Sequence, residues 1–484
     1  MADSLGKKAI KGTIWASVDR IGNMCLQFGV NLVLARLLLP SDFGAIGMIE
    51  IFIIVSQTLI DGGFAAALIQ KKAPTQTDYS TIFYWNMFIS IIFYGIIFLI
   101  APWVADFFNL PVIRPLLRVI GLGLIISSLS IIQTNRLRKQ LELDRLAAAN
   151  FLSYLISGAM AILAAYSGWK VWSLVVLQLG YHTVLATLLW LVAKWHPSLI
   201  FSMRSLRELF NFGGYLLAAG LLQEICKNLQ GIIIGKRFSP TAMGLYSQAY
   251  KLDRISSYTL PNILVQVMYP VYASVQDEEG RLVSMLGLNT RLISFVIFPL
   301  MAILILIAEP LIVFLYGMKW VACAPYFQIL CVGGLFICLQ NTNFYAVAAK
   351  GKSNVLFFWS IYKWSFLIVC LLVGMLFGIY GLLWGMGLSN FNIFMVNALL
   401  ASRHTGYKFS MQLRDTLPLL LLAAVCMALT YVITIYLPHH FILTVIVYLL
   451  IYAMAAWSLN LQVVGEIKGV VMRFINKKHS HLNS

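Results

Sequence analysis

The chain has 484 residues, 60% of them hydrophobic and only 11% charged, and it carries a formal net charge of +17. Soluble domains carry roughly 25% charged residues, so the composition excludes a soluble globular domain and describes an all-α, polytopic integral membrane protein. Apolar runs of about 20 residues, each able to cross a hydrocarbon core of about 30 Å, recur from end to end.

Fourteen spans are predicted in chain order, near 13–38, 43–67, 80–101, 112–134, 147–167, 171–193, 208–235, 241–270, 284–307, 325–348, 353–375, 378–401, 415–436 and 440–464. The start, MADSLGKKAIKGTIWASVDR, has neither an uninterrupted hydrophobic region nor a small-residue cleavage site, so no removed signal peptide is expected there. The longest connection, 194–207, is read as an ordinary cytoplasmic linker, too short for a soluble domain.

The positive charge is topological. With the N-terminus inside, 22 Lys and Arg residues fall on one side of the predicted spans and six on the other. The positive-inside rule then places both termini in the cytoplasm, and no nucleic-acid partner is needed to explain the basicity.

The first span carries a polar stripe. At about 100° per residue, Ser17, Arg20, Asn23, Gln27 and Asn31 fall within an arc of about 120°, with Asp19 beside it. In the second span Glu50, Gln57 and Asp61 share about 40° of arc. The seventh offers Gln223, Glu224, Lys227 and Gln230 on one side, and the eighth Lys251, Arg254, Tyr258 and Asn262 within about 80°. A charge at the bilayer centre costs at least about 2.5–3.5 kcal/mol, so such groups face a bundle interior or a watery cavity. Local ion pairing, for example Glu224 with Lys227 one turn on, explains one or two of them. It does not explain why the polar faces belong to the first two spans of each half.

The halves echo one another. Pro40-Ser-Asp-Phe-Gly44 ends the first span and Pro240-Thr-Ala-Met-Gly244 the seventh, 200 residues apart, each preceded by a base at the same place, Arg36 and Lys236. PLLRVIGLG from Pro115 is echoed by PYFQILCVG from Pro325 at an offset of 210. These offsets predict two pseudo-symmetric six-helix lobes, 1–193 and 208–401, followed by two further spans over 402–466 and a cytoplasmic tail, 467–484. Six-plus-six parallel repeats are a transporter architecture with the substrate site between the halves.

The in-span cations Arg20, Lys227, Lys251, Arg254, Arg291 and Lys363 outnumber the in-span acids Asp19, Glu50, Asp61, Glu224 and Asp253. A cationic surplus suits an anionic substrate, and guanidinium groups bind phosphates bidentately. The amides and tyrosines can hydrogen-bond sugar hydroxyls. Other chemistry is thin. No GxxxxGK[ST] loop is present. The seven cysteines show neither a disulfide framework nor ligand spacing for zinc or an iron–sulfur cluster, and read as packing residues. No catalytic residue, metal or cofactor is expected. A membrane glycosyltransferase or polymerase would show a long extracytoplasmic loop or an acidic catalytic motif, and neither is visible.

The segments LVLARLLLPSDFGAIGM (32–48), LIDGGFAAALIQKK (59–72), ELFNFGGYLL (208–217) and IIIGKRFSPTAMGLYSQAYKLDR (232–254) resemble signatures of bacterial polysaccharide-exporting flippases. These Wzx-type proteins belong to the multidrug/oligosaccharidyl-lipid/polysaccharide (MOP) superfamily. VMYPVYASVQDEEGRL (267–282) and YGMKWVACAPYFQIL (316–330) resemble the colanic-acid and teichuronic-acid exporter branch. The resemblance implies a MATE/MOP-like fold in the bacterial cytoplasmic (inner) membrane. It also implies alternating access that turns an undecaprenyl-pyrophosphate-linked oligosaccharide from the inner to the outer leaflet. The partners it implies are that lipid-linked substrate, the membrane lipids, and the polysaccharide polymerase and chain-length machinery.

The family's cavity arginines carry over to Arg20 and Arg254, which lie on the stripes above. Relatives often have an acid just before IIIGK where this chain has Gln230, a departure that counts against a coupling-ion site there. Asp19, Glu50, Asp61 and Glu224 remain as candidate protonatable groups, with a proton, a sodium ion or the membrane potential as the driving force. Arg20 and Arg254 are expected to clamp the pyrophosphate, with Lys227 and Lys251 adding positive potential. Asn23, Gln27, Asn31 and Tyr258 are expected to contact sugars. A drug/cation antiporter of the same superfamily and a lipid II flippase are the rival readings.

Overall fold

The computed structural model describes residues 21–259, 268–436, 441–459 and 461–466. Ser17, Asp19, Arg20, Asn262 and the predicted tail 467–484 lie outside them. Among the described residues every regular element is helical.

The chain divides into two compact units, Met1–Ser247 and Gln248–Ser484. The first holds α1 (Ile21–Leu37), α2 (Pro40–Asp61), α3 (Phe64–Gln70), α4 (Gln76–Phe108), α5 (Ile113–Lys139), α6 (Leu143–Tyr166), α7 (Trp172–Val192) and α8 (Met203–Arg237). The division falls within α9 (Pro240–Arg254), which runs into a π-helical turn, Ile255–Thr259. The second unit continues with α10 (Glu279–Leu306), α11 (Ala308–Tyr316), α12 (Ala324–Ala349), α13 (Ser353–Gly374), α14 (Gly378–Thr405), α15 (Phe409–Tyr436) and α16 (Phe441–Ser458).

Ten helical stretches among the described residues are long and apolar enough to cross a bilayer. An eleventh is added if α8, bent by 43° beside Gly213 and Gly214, counts as one span. Helix starts follow local chemistry. Pro40 and Pro240 open α2 and α9, where a missing N–H costs nothing. The Asp42 carboxylate accepts the Leu39 N–H at 3.0 Å, and Ser239 Oγ accepts the Ala242 N–H at 3.0 Å.

The same helix packings recur in the two units. In the first, α4 packs on α5, α5 on α7, and α6 on α7. In the second, α10 packs on α12, α12 on α14, and α13 on α14. The echoed glycines sit at corresponding contacts. Gly123 of α5 faces Leu179 and His182 of α7, and Gly333 of α12 faces Gly387 and Asn390 of α14. The P-x-x-x-G motifs meet directly within the first unit. A Cβ on Gly44 would stand 1.7 Å from the Pro240 carbonyl oxygen, and one on Gly244 would stand 1.7 Å from the Pro40 carbonyl oxygen. The first turns of α2 and α9 thus cross backbone against backbone, a close approach that only glycine permits.

Candidate functional site

The sites of the first unit are built around interruptions in its helices. The second predicted span is broken: α2 stops at Asp61, Gly62 and Gly63 take φ of 56° and 73°, and α3 resumes at Phe64. A Cβ on Gly63 would stand 2.2 Å from the Gly213 carbonyl oxygen, so at the break the backbone of α8 comes up against it directly. Asp61 is half-buried at this break, where the Ala65 backbone N–H bonds its carboxylate and Arg138 lies within electrostatic reach. Glu50 is exposed near the middle of α2.

The predicted stripe of α1 is described from Asn23 onward. Asn23 and Asn31 are half-buried and Gln27 is exposed. Cys25, read from sequence as a packing residue, is exposed instead, whereas the other six cysteines are buried. On α8, Lys227 and Glu224 form the local pair that sequence allowed, at 3.4 Å, with Asn228 Nδ2 also donating to the Glu224 carbonyl at 2.8 Å. Gln230 turns inward and donates to the Lys227 carbonyl.

Of the stripe predicted on the eighth span, Lys251, Arg254 and Tyr258 are described, in the second unit. Lys251, Arg254 and Tyr258 are all exposed on one side of the helix. The Arg254 guanidinium lies 5.5 Å from the Tyr258 ring centroid and 6.0 Å from that of Tyr250, so aromatic rings hold it without consuming its charge. Its forked donors suit a diphosphate. Asp253, counted from sequence among the cavity acids, lies on the opposite face and is only 3% exposed.

Arg291 corrects the charge count. Sequence placed it among the cations of a cavity, but its guanidinium bonds Asp415 Oδ1 at 3.0 Å and Glu466 Oε2 at 3.2 Å, and Tyr407 donates to Asp415 Oδ2 at 2.6 Å. This buried cluster ties α10 to α15 and to the segment after α16. Sequence reasoning missed it because its acids lie 124 and 175 residues away along the chain.

A second cluster gathers at one end of the first unit. Lys71 pairs with Asp78 at 3.1 Å and with Glu208 at 3.2 Å, Ser205 donates to Asp78, and Thr75 with Asp78 forms the capping box of α4. Burial pulls the Lys71 ammonium down, but the Asp78 and Glu208 carboxylates outweigh it and hold the group above its ordinary value. Segment 194–207 is no ordinary loop. Trp195 is buried against Tyr79 and Phe83 and donates to Gln76 Oε1 at 2.6 Å, and the Ser198 and Ser202 amides bond Ser80 and Thr81. The T-x-x-D of residues 75–78 was a legible signal for part of this cluster. At the other end, the connections after α1, α4, α6 and α8 surround a cavity of about 740 Å³ lined by Asp42, Trp169, Lys170 and Trp172.

The fold and these sites define a polytopic helical membrane protein with a cationic, tyrosine-backed helix face. The family described as polysaccharide biosynthesis protein matches residues 33–325, and the chain belongs to that family. Among its relatives is the teichuronic acid biosynthesis protein TuaB of Bacillus subtilis (strain 168), 26% identical over 358 residues that cover 74% of each chain. The lipopolysaccharide biosynthesis protein WzxC of Escherichia coli (strain K12) is 24% identical over 374 residues, 77% of this chain and 76% of the relative. Among solved structures, the lipid II flippase MurJ in an inward closed conformation is similar with a TM-score of 0.71 at 12% identity. That match covers 92% of this chain and 97% of the other, and it establishes a shared fold.

Proposed function

We propose that the chain is a flippase that carries undecaprenyl-pyrophosphate-linked oligosaccharide repeat units across the bacterial cytoplasmic membrane by alternating access, for surface polysaccharide biosynthesis. The observation that carries the reading is the exposed face of α9, where Lys251, Arg254 and Tyr258 offer two cations and an aromatic hydroxyl side by side. Family membership and the polysaccharide pathways named for TuaB and WzxC support the same substrate class.

In this reading both termini are cytoplasmic and the spans number fourteen. The stretch Val355–Thr405, at 51 residues, is long enough for two traverses. The bent α8 adds one span, and α1 and the charged α9 supply the two that fall short on length or apolarity. Lobes of six spans, 1–193 and 208–401, then flank the linker 194–207, with 402–466 added and 467–484 as tail. The recurring helix packings and the reciprocal contact of Gly44 with Pro240 and Gly244 with Pro40 support this symmetry.

The pyrophosphate enters from the cytoplasm and is clamped by Arg20 and Arg254, while Lys227 and Lys251 raise the local potential. Asn23, Gln27, Asn31 and Tyr258 meet the sugars, and the polyprenyl tail stays in lipid. Asp19, Glu50, Asp61 and Glu224 are the acids available for coupling to protons or sodium, alongside the membrane potential. The Trp-lined cavity at the end of the first unit receives the emerging glycan. No step makes or breaks a covalent bond. Polymerase and chain-length machinery then take the flipped unit.

The test is deletion of the gene followed by mass spectrometry of polyprenyl-linked glycans. The expected result is a build-up of one completed repeat unit with loss of a surface polysaccharide. Sensitivity to cationic drugs without build-up would mean a drug antiporter, and a lethal deletion with lipid II accumulation would mean a lipid II flippase.

A further inference from the structure

The buried acid of α9 has no place in the scheme above. Asp253 lies about 130° around the helix from the mean direction of Lys251, Arg254 and Tyr258, and that rotation turns it into the core of the second unit, at 3% exposure. Across from it is α12. A Cβ on Gly334 would stand 2.8 Å from Ser257 Cβ, 3.1 Å from Asp253 Oδ1 and 3.4 Å from the Met301 methyl of α10, so the absence of a side chain on Gly334 leaves room for both Ser257 and the carboxyl group. The titratable groups facing Asp253 from α12 are the thiols of Cys331 and Cys338, both buried. On its own helix the near groups are Ser256 and Ser257. No cation faces it among the described residues.

Counting hydrogens shows what protonation state this packing fits. Asp253 Oδ1 has no hydrogen-bond partner. Oδ2 lies 3.0 Å from Ser257 Oγ, which lies in turn 2.9 Å from the Asp253 carbonyl oxygen, and Ser256 Oγ lies 3.0 Å from the same carbonyl. Two hydroxyl hydrogens thus face three oxygen–oxygen contacts. A carboxylic acid supplies the third hydrogen, whereas a carboxylate adds an uncompensated charge where one costs several kcal/mol. The π-helical turn that begins two residues later gives α9 a local way to rewind, and such turns recur at functional sites.

We propose that Asp253 is a further proton-binding site, beyond the four acids above, that couples the transport cycle: its carboxyl group is protonated in this packed arrangement and releases the proton when α9 moves away from Gly334. Proton binding therefore favours this arrangement and proton loss favours the alternative, as linkage requires. On deprotonation the carboxylate becomes a counter-ion for Lys251 and Arg254 and competes with the substrate diphosphate. The role in transport rests on the flippase reading, whereas the protonation state does not.

Two measurements on the full-length protein test it. Infrared spectra of the protein reconstituted in vesicles should show a protonated carboxylic-acid carbonyl band at neutral pH that is absent from Asp253→Asn. Export in the deletion strain should fall at least about fivefold with Asp253→Asn at normal membrane abundance, and Asp253→Glu should recover part of it. A band unchanged in Asp253→Asn, or export by that variant at the wild-type rate with the same response to a protonophore, would overturn the proposal. If the band disappears in the variant but the deletion strain accumulates no lipid-linked glycan, the proton site stands and the flippase reading falls.

Discussion

At Gly44 the carbonyl of Pro240 occupies the place a methyl group would need, and at Gly244 the carbonyl of Pro40 does the same. Backbone cannot rotate away as a side chain can, so Gly44→Ala or Gly244→Ala should cost about 3 kcal/mol or more. The expected result is a clear fall in apparent Tm in detergent and reduced membrane abundance. Gly22 and Gly29 of the first span, where a Cβ meets nothing within 4 Å, serve as controls. For Arg254, the charge should matter less than the fork. Arg254→Lys keeps the cation but loses bidentate geometry, so export measured in the deletion strain should fall for Lys as well as for Ala, with the folded protein retained. At this scale the sequence was legible where polar residues share a helical face, as Lys251, Arg254 and Tyr258 do. It was not legible for Asp253, because a stripe selects residues by their company and this acid stands alone on the other side.

Between elements, the ties are made by groups distant in the chain, which is why periodicity could not find them. Arg291, at 14% side-chain exposure, joins α10 to α15 and to Glu466. Removing it leaves the buried Asp415 carboxylate beside the half-buried Glu466 without their cation, so Arg291→Ala should destabilise the second unit by up to about 3–5 kcal/mol. Replacing Arg291, Asp415 and Glu466 together by Met, Leu and Met should recover much of that loss, since buried ion clusters are often matched by apolar packing. Thermal unfolding of the two purified variants decides the matter, and equal losses would mean the cluster's role is geometric. The Lys71–Asp78–Glu208 cluster joins the connection after α3 and the start of α4 to the first turns of α8 in the same manner. Because Lys71 is held above its ordinary value of 10.5, its contribution is fully present below that pH. It is lost only as pH rises through the higher folded value. Asp78→Asn should therefore lower the apparent Tm throughout the neutral range. The difference from wild type should shrink in strong alkali, where Lys71 loses its proton, and again in strong acid, where Asp78 itself takes one up.

For the whole molecule, hydropathy made the all-helical, polytopic class legible, since a run of about 20 apolar residues has one physical use in a chain of this composition. Ten or eleven stretches among the described residues meet the length and apolarity of a span, against the fourteen runs read from sequence. The P-x-x-x-G and Pro…Gly echoes fall on helix starts and close crossings, because proline opens helices and glycine permits backbone approach. What the residues could not convey is the division at Ser247, which falls inside a helix with no loop, proline or charge run to announce it. The central claim is translocation itself, and it is tested most directly in vesicles. Purified protein should be reconstituted with the undecaprenyl-pyrophosphate oligosaccharide extracted from the deletion strain, and the glycan reaching the outer leaflet followed by its accessibility to an added glycosidase. The expected result is a protein-dependent rise in accessible glycan that Arg254→Ala abolishes. Accessibility no greater than in protein-free vesicles would contradict it.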